Sequence, residues 1–258
     1  MATFLFDEII FGPVKSRRLG VSLGVNLLPN DSKFCNFNCI YCECGWTKDK
    51  QEKVDFHSQD LVKQTLDSKL KSMLANNEEL DVITFAGNGE PTLHPLFDKI
   101  IDDTIEIRNK YFPEARIAVL SNSTMLQKYR VVEALKKVDQ NILKLDSSNI
   151  ETIKLLNNPQ GHFNLDYIID NFAKFDGAFI LQTMFLKGKY NDVDIDNTTD
   201  EEVNSWLDLV NEINPKQVMI YTIARDTPAP DLEKVSMEKL EEIAGKLRDL
   251  NIDVQISG

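Results

Sequence analysis

Cysteine is scarce in this 258-residue chain, and histidine is scarcer. The four cysteines all lie between positions 35 and 44, so they cannot staple distant parts of a fold, and a disulfide framework is excluded. The three histidines, His57, His94 and His162, show no ligand spacing. No stretch approaches the ~20 consecutive apolar residues that a membrane span requires. The segment Met1-Ala2-Thr3-Phe4-Leu5-Phe6-Asp7-Glu8 has neither a basic start nor a long apolar run, which argues against a signal peptide and for a cytoplasmic protein. Basic side chains are in deficit, 29 against 41 acidic ones, for a net charge of −12. An acidic surface repels a phosphate backbone, so nucleic acid is disfavoured as a partner and a small molecule is favoured. The 11 glycines and 9 prolines nowhere gather into a linker, and no repeat or low-complexity tract occurs. A single domain over residues 1–258 is therefore expected, with residues 1–18 as an N-terminal extension.

What is present is a regular alternation. Residues 12–18 read as a basic loop, and Val21 to Leu28 as a β-prone apolar run closed by turn residues. From Ser58 to Asn76, apolar residues recur at three- and four-residue spacing behind a serine cap, which predicts a helix. Apolar strands are expected near residues 81–86, 116–120, 141–145, 177–186, 216–223 and 252–256. Between them, helices are expected over 96–110, 127–138, 165–175, 200–213 and 236–250. Continuous apolar strands alternating with amphipathic helices mean a parallel sheet covered by helices. Polar clusters fall at the C-terminal ends of most strands, as at the active face of a barrel rather than the single switch point of a doubly wound sheet. The expected fold is α/β, a partial (open) TIM-like barrel of about six β/α repeats with a parallel sheet.

The cysteines carry the chemistry. Cys35, Cys39 and Cys42 stand at C-x3-C-x2-C spacing on the loop after the first long strand, and Cys44 follows. Thiolates gathered this closely form a soft-ligand claw suited to iron–sulfur clusters, zinc or copper(I). Structural zinc sites commonly draw their four ligands from two separated pairs, a pattern absent here. Three cysteines can hold three irons of a 4Fe-4S cluster and leave the fourth open, whereas electron-transfer clusters usually take four. A non-enzymatic metal-binding or electron-transfer protein is the rival class.

The loop, with Tyr41 before its last cysteine, resembles the signature of the radical S-adenosylmethionine (SAM) superfamily. In that family the open iron chelates SAM, one electron from the cluster breaks a carbon–sulfur bond, and the resulting 5′-deoxyadenosyl radical abstracts hydrogen from a substrate. Thr84-Phe85-Ala86-Gly87-Asn88-Gly89-Glu90-Pro91 is similar to the family's glycine-rich segment, which holds the methionine amine, with Asn88 where a glycine is usual. By position, the resemblance also implies SAM contacts at Asn122, Asp146 and Gln182, and an electron donor such as flavodoxin or ferredoxin. Phe11 to Gly20, Cys42-Glu43-Cys44-Gly45 and Tyr221 to Ala229 resemble the branch that includes wyosine-type tRNA base synthases and smaller single-cluster relatives. Modification of a tRNA base is thus an alternative to a small polar or nucleoside-like substrate. The candidate cofactor-binding residues are Tyr41, Gly87, Asn88, Gly89, Glu90, Asn122, Asp146 and Gln182. Such chemistry implies an oxygen-sensitive enzyme.

The candidate substrate-binding residues are Arg17, Arg18, Lys144, Tyr221 and Arg225. Arginine binds planar anions bidentately, which singles out the Arg17-Arg18 pair in an acidic chain. Lys144 shares a strand face with Asp146 because side chains alternate along a strand. It is therefore expected either to point into the barrel or to pair with a carboxylate. Cys44 is expected to remain outside the ligand set.

Overall fold

The computed structural model describes residues 4–16, 18–47 and 54–258, so Arg17 lies outside the described residues. In chain order the elements are β1 (Ile10–Ser16), β2 (Gly20–Val25), α1 (Gln59–Ala75), β3 (Val82–Phe85), α2 (Phe97–Tyr111), β4 (Arg116–Ser121), α3 (Tyr129–Lys137), β5 (Gln140–Lys144) and α4 (Ile150–Asn157). They continue with α5 (Leu165–Phe172), β6 (Ile180–Met184), β7 (Leu186–Tyr190), β8 (Val193–Asp196), α6 (Asp200–Ile213), β9 (Gln217–Tyr221), β10 (Leu232–Lys234), α7 (Met237–Asp249) and β11 (Val254–Ser257). Eight strands form one sheet in the order β1-β2-β3-β4-β5-β6-β9-β11. From β2 onward every pairing is parallel. The sheet curls into a half-barrel whose edge strands β1 and β11 are not paired to each other. Six helical crossovers join the seven parallel strands, as the alternation predicts. No helix among the described residues is long and apolar enough to cross a membrane.

The strand period of two divides the sheet into an outer and an inner face. Leu23, Val25, Ile83, Phe85, Ile117, Val119, Leu143 and Leu181 pack in one cluster with Leu66, Leu70, Ile100 and Leu135 of the helices. On the inner face, Val82, Ala118, Ile142, Ile180 and Met219 pack with Leu19 to fill the lower barrel. Local chemistry sets the helix starts. Ser58, Asn149, Asn164, Thr199 and Ser236 each accept a backbone N–H at an N-terminus.

Three features depart from the sequence reading. Residues 10–16 are not a loop but a strand antiparallel to β2. An edge strand with a solvated side tolerates Pro13 and the exposed Lys15, which make the segment look like a turn. The long strand expected over 177–186 ends at Met184, and the chain continues into a separate three-stranded antiparallel sheet of order β10-β7-β8. Helix α4 was not anticipated, and its two turns are too short to show a period. It nevertheless matters most for the site, because its C-terminus holds the cysteine loop.

Candidate active site

The cysteine loop is held from two sides by backbone hydrogen bonds. On one side Phe34 N donates to Asn88 O (2.7 Å) and Glu90 N donates to Phe34 O (3.2 Å). This close approach explains Gly89. A Cβ there would lie 1.8 Å from Phe34 O, and its φ of +142° suits glycine alone. Gly87 has the same need, since a Cβ would meet the buried Asn26 side chain at 2.5 Å. On the other side Asn38 N donates to Asn157 O (2.9 Å) and Ile40 N to Leu156 O (3.0 Å), both at the end of α4.

So held, Cys35, Cys39 and Cys42 face one cavity of about 230 Å³, lined also by Lys33, Tyr41, Gly87, Gly89, Glu90, Asn122, Lys144 and Gln182. None of the three is in a disulfide. Asn157 Nδ2 lies 3.5 Å from the sulfur of Cys39, and Phe37 N lies 3.4 Å from that of Cys35. Burial raises the Cys35 thiol, and it pushes Cys39 up to about 11. Cys42 is lowered to about 5, chiefly by a hydrogen bond from Cys44, with the Lys33 charge adding to it against burial. Cys44 also reaches Gly87 O at 3.3 Å, and its single S–H proton serves one partner at a time. Lys33 is buried and donates to Gly45 O at 2.8 Å. Burial alone would lower it, but the charges of Cys42, Cys35 and Cys39 together hold it raised.

This donor set fits an iron–sulfur cluster. Its three thiols line one cavity and none is in a disulfide, and a cluster takes its thiolates on separate irons. Cys35, Cys39 and Cys42 would hold it. Backbone and side-chain N–H groups on the sulfurs and a buried ammonium supply the surroundings that stabilise such ligands.

The neighbouring polar groups form two networks. Glu90 is 2% exposed and ties the turn after β3 to the end of β4. Its Oε1 accepts from Thr92 N (3.1 Å), the Thr92 hydroxyl and Ser121 Oγ (2.9 Å), while Oε2 accepts from Asn122 N (2.7 Å). Burial raises its pKa, and those hydrogen bonds oppose the shift. Asn122 donates to Asn36 Oδ1 at 2.7 Å and also accepts from Thr124 N, so one side chain both closes a turn and lines the cavity. In the second network Asp146 accepts from Tyr41, Asn157 Nδ2 (2.6 Å) and Met184 N (2.9 Å), and pairs with Lys144 Nζ at 3.1 Å. Burial alone would lower Lys144, and the Asp146, Tyr221 and Cys39 charges overcome it and hold the lysine raised.

The candidate residues separate by place. Tyr41, Gly87, Gly89, Glu90, Asn122, Gln182 and Lys144 line the cysteine cavity. Asp146 does not line it and reaches it through Tyr41 and Lys144. Asn88 is fully buried, its amide turned to Phe6 and Pro29 rather than to the cavity. Arg18 donates to Gln182 Oε1 (2.9 Å) and lies 4.6 Å above the Tyr221 ring. Tyr221 receives Lys144 Nζ at 3.3 Å. Arg225 is exposed and paired with Glu43 at 2.6 Å. Sequence reasoning missed Lys33, although it lies two residues before Cys35. It also missed Asn157, which carries no signal because its partners on the cysteine loop, Cys39 and Tyr41, are more than 100 residues away.

The likenesses to known proteins agree with this geometry. A protein of Brachyspira hyodysenteriae named GTPase Obg is 32% identical over 252 residues, 96% of this chain, and the chain spans only 34% of its length. A UPF0026 protein of Methanocaldococcus jannaschii is 30% identical over 249 residues, covering 94% of this chain and 71% of that protein. Among solved structures, Streptococcus suis SuiB bound to S-adenosylmethionine superposes with a TM-score of 0.63 at 15% identity, over 91% of this chain and 50% of that one. A radical SAM methyltransferase from Sphaerobacter thermophilus does so with a TM-score of 0.63 at 14% identity, over 92% of this chain and 65% of that one. The Radical SAM superfamily model matches residues 30–210, which include every cysteine, the glycine-rich loop and α4. The chain belongs to the radical S-adenosylmethionine superfamily.

Proposed function

We propose that this protein carries one 4Fe-4S cluster on Cys35, Cys39 and Cys42, cleaves SAM reductively, and abstracts hydrogen from a small polar or nucleoside-like substrate. One observation carries the reading. The three thiols and the Gly87–Glu90 loop face a single cavity, and that cavity shares Ala86 and Leu120 with a larger one that opens at the side of the half-barrel. A cofactor site and a substrate site in contact are what radical transfer requires, because the reacting atoms must meet with water excluded. When bound, cluster and SAM supply the radical chemistry, and the protein supplies placement. The glycine loop offers backbone groups at close approach, and Glu90 fixes that loop to the end of β4. Tyr41 and Lys144, anchored by Asp146, line the same cavity. A low-potential donor such as flavodoxin or ferredoxin would supply the electron. Modification of a tRNA base remains the rival reading, and the net charge of −12 stands against it.

Anaerobic reconstitution with iron and sulfide, followed by dithionite and SAM, tests the proposal. Formation of 5′-deoxyadenosine is expected. A cluster-loaded, reduced protein that makes none would refute it.

A further inference from the structure

The upper half of the half-barrel is hollow for a reason of side-chain size. Above the apolar layer at its base, β2, β3 and the residue after β3 present Ser22, Gly24, Thr84 and Ala86 to the cavity. None of these can reach across the barrel. The result is a lateral cavity of about 740 Å³, within the range of small-molecule sites.

Two of its walls differ in chemistry. One is aromatic. Phe6 stacks on Phe11 with centroids 3.8 Å apart and planes 25° apart, and Phe4 meets Phe6 edge-on at 4.8 Å. Phe11 can lie against β2 only because residue 24 is glycine, since a Cβ there would stand 2.0 Å from the ring. The other wall is cationic. Among the described residues, Lys15, Arg18 and Arg225 line it against a single acidic residue, Glu43, which Arg225 already engages. A chain with a net charge of −12 thus gathers three cations at one cavity. Arg18 is half-buried and has no carboxylate partner among the described residues. Its guanidinium is nonetheless held, by Gln182 Oε1 and by the face of Tyr221, and its carbonyl accepts from Gln255 Nε2 of β11 at 3.0 Å. Gln182 also lines the cysteine cavity, so Arg18 stands at the junction of the two. An arginine fixed in place without an anion is prepared to take one, because its remaining N–H groups match a carboxylate or phosphate.

We propose that the lateral cavity binds a substrate made of a planar unsaturated ring bearing a carboxylate or phosphate, the anion on Arg18 and the ring against Phe6 and Phe11. This rests on the radical-enzyme reading and narrows its substrate class. Aromatic faces favour flat rings, and a charge-assisted hydrogen bond in a partly desolvated site selects the anion.

Calorimetric titration of the reconstituted protein, with the cluster kept oxidised so that nothing turns over, tests this. The probes are orotate, uridine 5′-monophosphate and the neutral control uridine. At least one anionic probe is expected to bind roughly tenfold or more tighter than uridine, the worth of one charge-assisted hydrogen bond. Which one does so distinguishes carboxylate from phosphate. Arg18→Met should abolish the preference, and Arg18→Lys should restore part of it. Gly24→Val, which drives Phe11 off β2, should weaken all three probes alike. Equal binding of uridine and the anions, no binding by any probe, or a preference that survives Arg18→Met would overturn the proposal. The 5′-deoxyadenosine assay reports separately. Product without anion preference refutes only the substrate class, and anion preference without product refutes only the radical-enzyme reading.

Discussion

The side chain of Asn88 grips the backbone of Phe6 at both ends. Its Oδ1 accepts from Phe6 N at 2.8 Å, and its Nδ2 donates to Phe6 O at 2.8 Å. The same Nδ2 also reaches Pro29 O at 2.8 Å. The residue that departs from the usual glycine-rich pattern therefore fastens the N-terminal segment, with its aromatic wall, to the glycine-rich loop after β3.

Replacing Asn88 by glycine, the residue usual at that position in the family, should release this segment. Three hydrogen bonds are lost, for a destabilisation of about 1–3 kcal/mol by urea denaturation. Chymotrypsin should then cut earlier among Phe4, Phe6 and Phe11. Unchanged stability together with unchanged cleavage would show that the clamp does not hold in solution.

Lys144 and Asp146 form a buried pair, their side chains 9% and 0% exposed. Lys144→Met leaves the carboxylate buried without its cation and should cost about 3–5 kcal/mol. The double variant Lys144→Met/Asp146→Asn should recover part of that loss, and additive losses in the cycle would argue against coupling. The lysine is held above its ordinary value of 10.5, so its stabilising contribution is complete below pH 10.5 and declines as pH rises beyond it. The wild type should therefore lose stability in strong alkali more steeply than Lys144→Met.

Cys39→Ala should abolish both cluster assembly, read by iron content and visible absorption, and 5′-deoxyadenosine formation. Cys44→Ala should retain the cluster, since Cys44 acts on Cys42 and Gly87 rather than on the cavity. Loss of iron from Cys44→Ala would mean a fourth ligand.

Lys33 places a positive charge beside three thiolates. Replacing it by methionine should make the bound cluster harder to reduce, because the added electron loses a neighbouring cation. An anaerobic redox titration followed by electron paramagnetic resonance measures this directly. A potential that does not fall would assign Lys33 to holding Gly45 O alone.

What the amino-acid order determined by itself is local or periodic. The spacing of Cys35, Cys39 and Cys42 is set within eight residues, whereas the need for glycine at 87 and 89 comes from Asn26 and Phe34, more than 50 positions earlier. The alternation of apolar strands with amphipathic helices implied the parallel sheet, and strand-end polarity pointed to the open barrel. Tertiary structure decided which of these residues meet. Asn157 reaches Cys39 across 118 positions, Asn88 reaches Phe6 across 82, and Arg18 reaches Gln182 across 164. Sheet register and curvature create such contacts, and no local window contains them. Burial explains the rest. Ser22, Gly24, Thr84 and Ala86 look unremarkable along the chain, and only when β2, β3 and the residue after β3 present them together does their small size become a cavity.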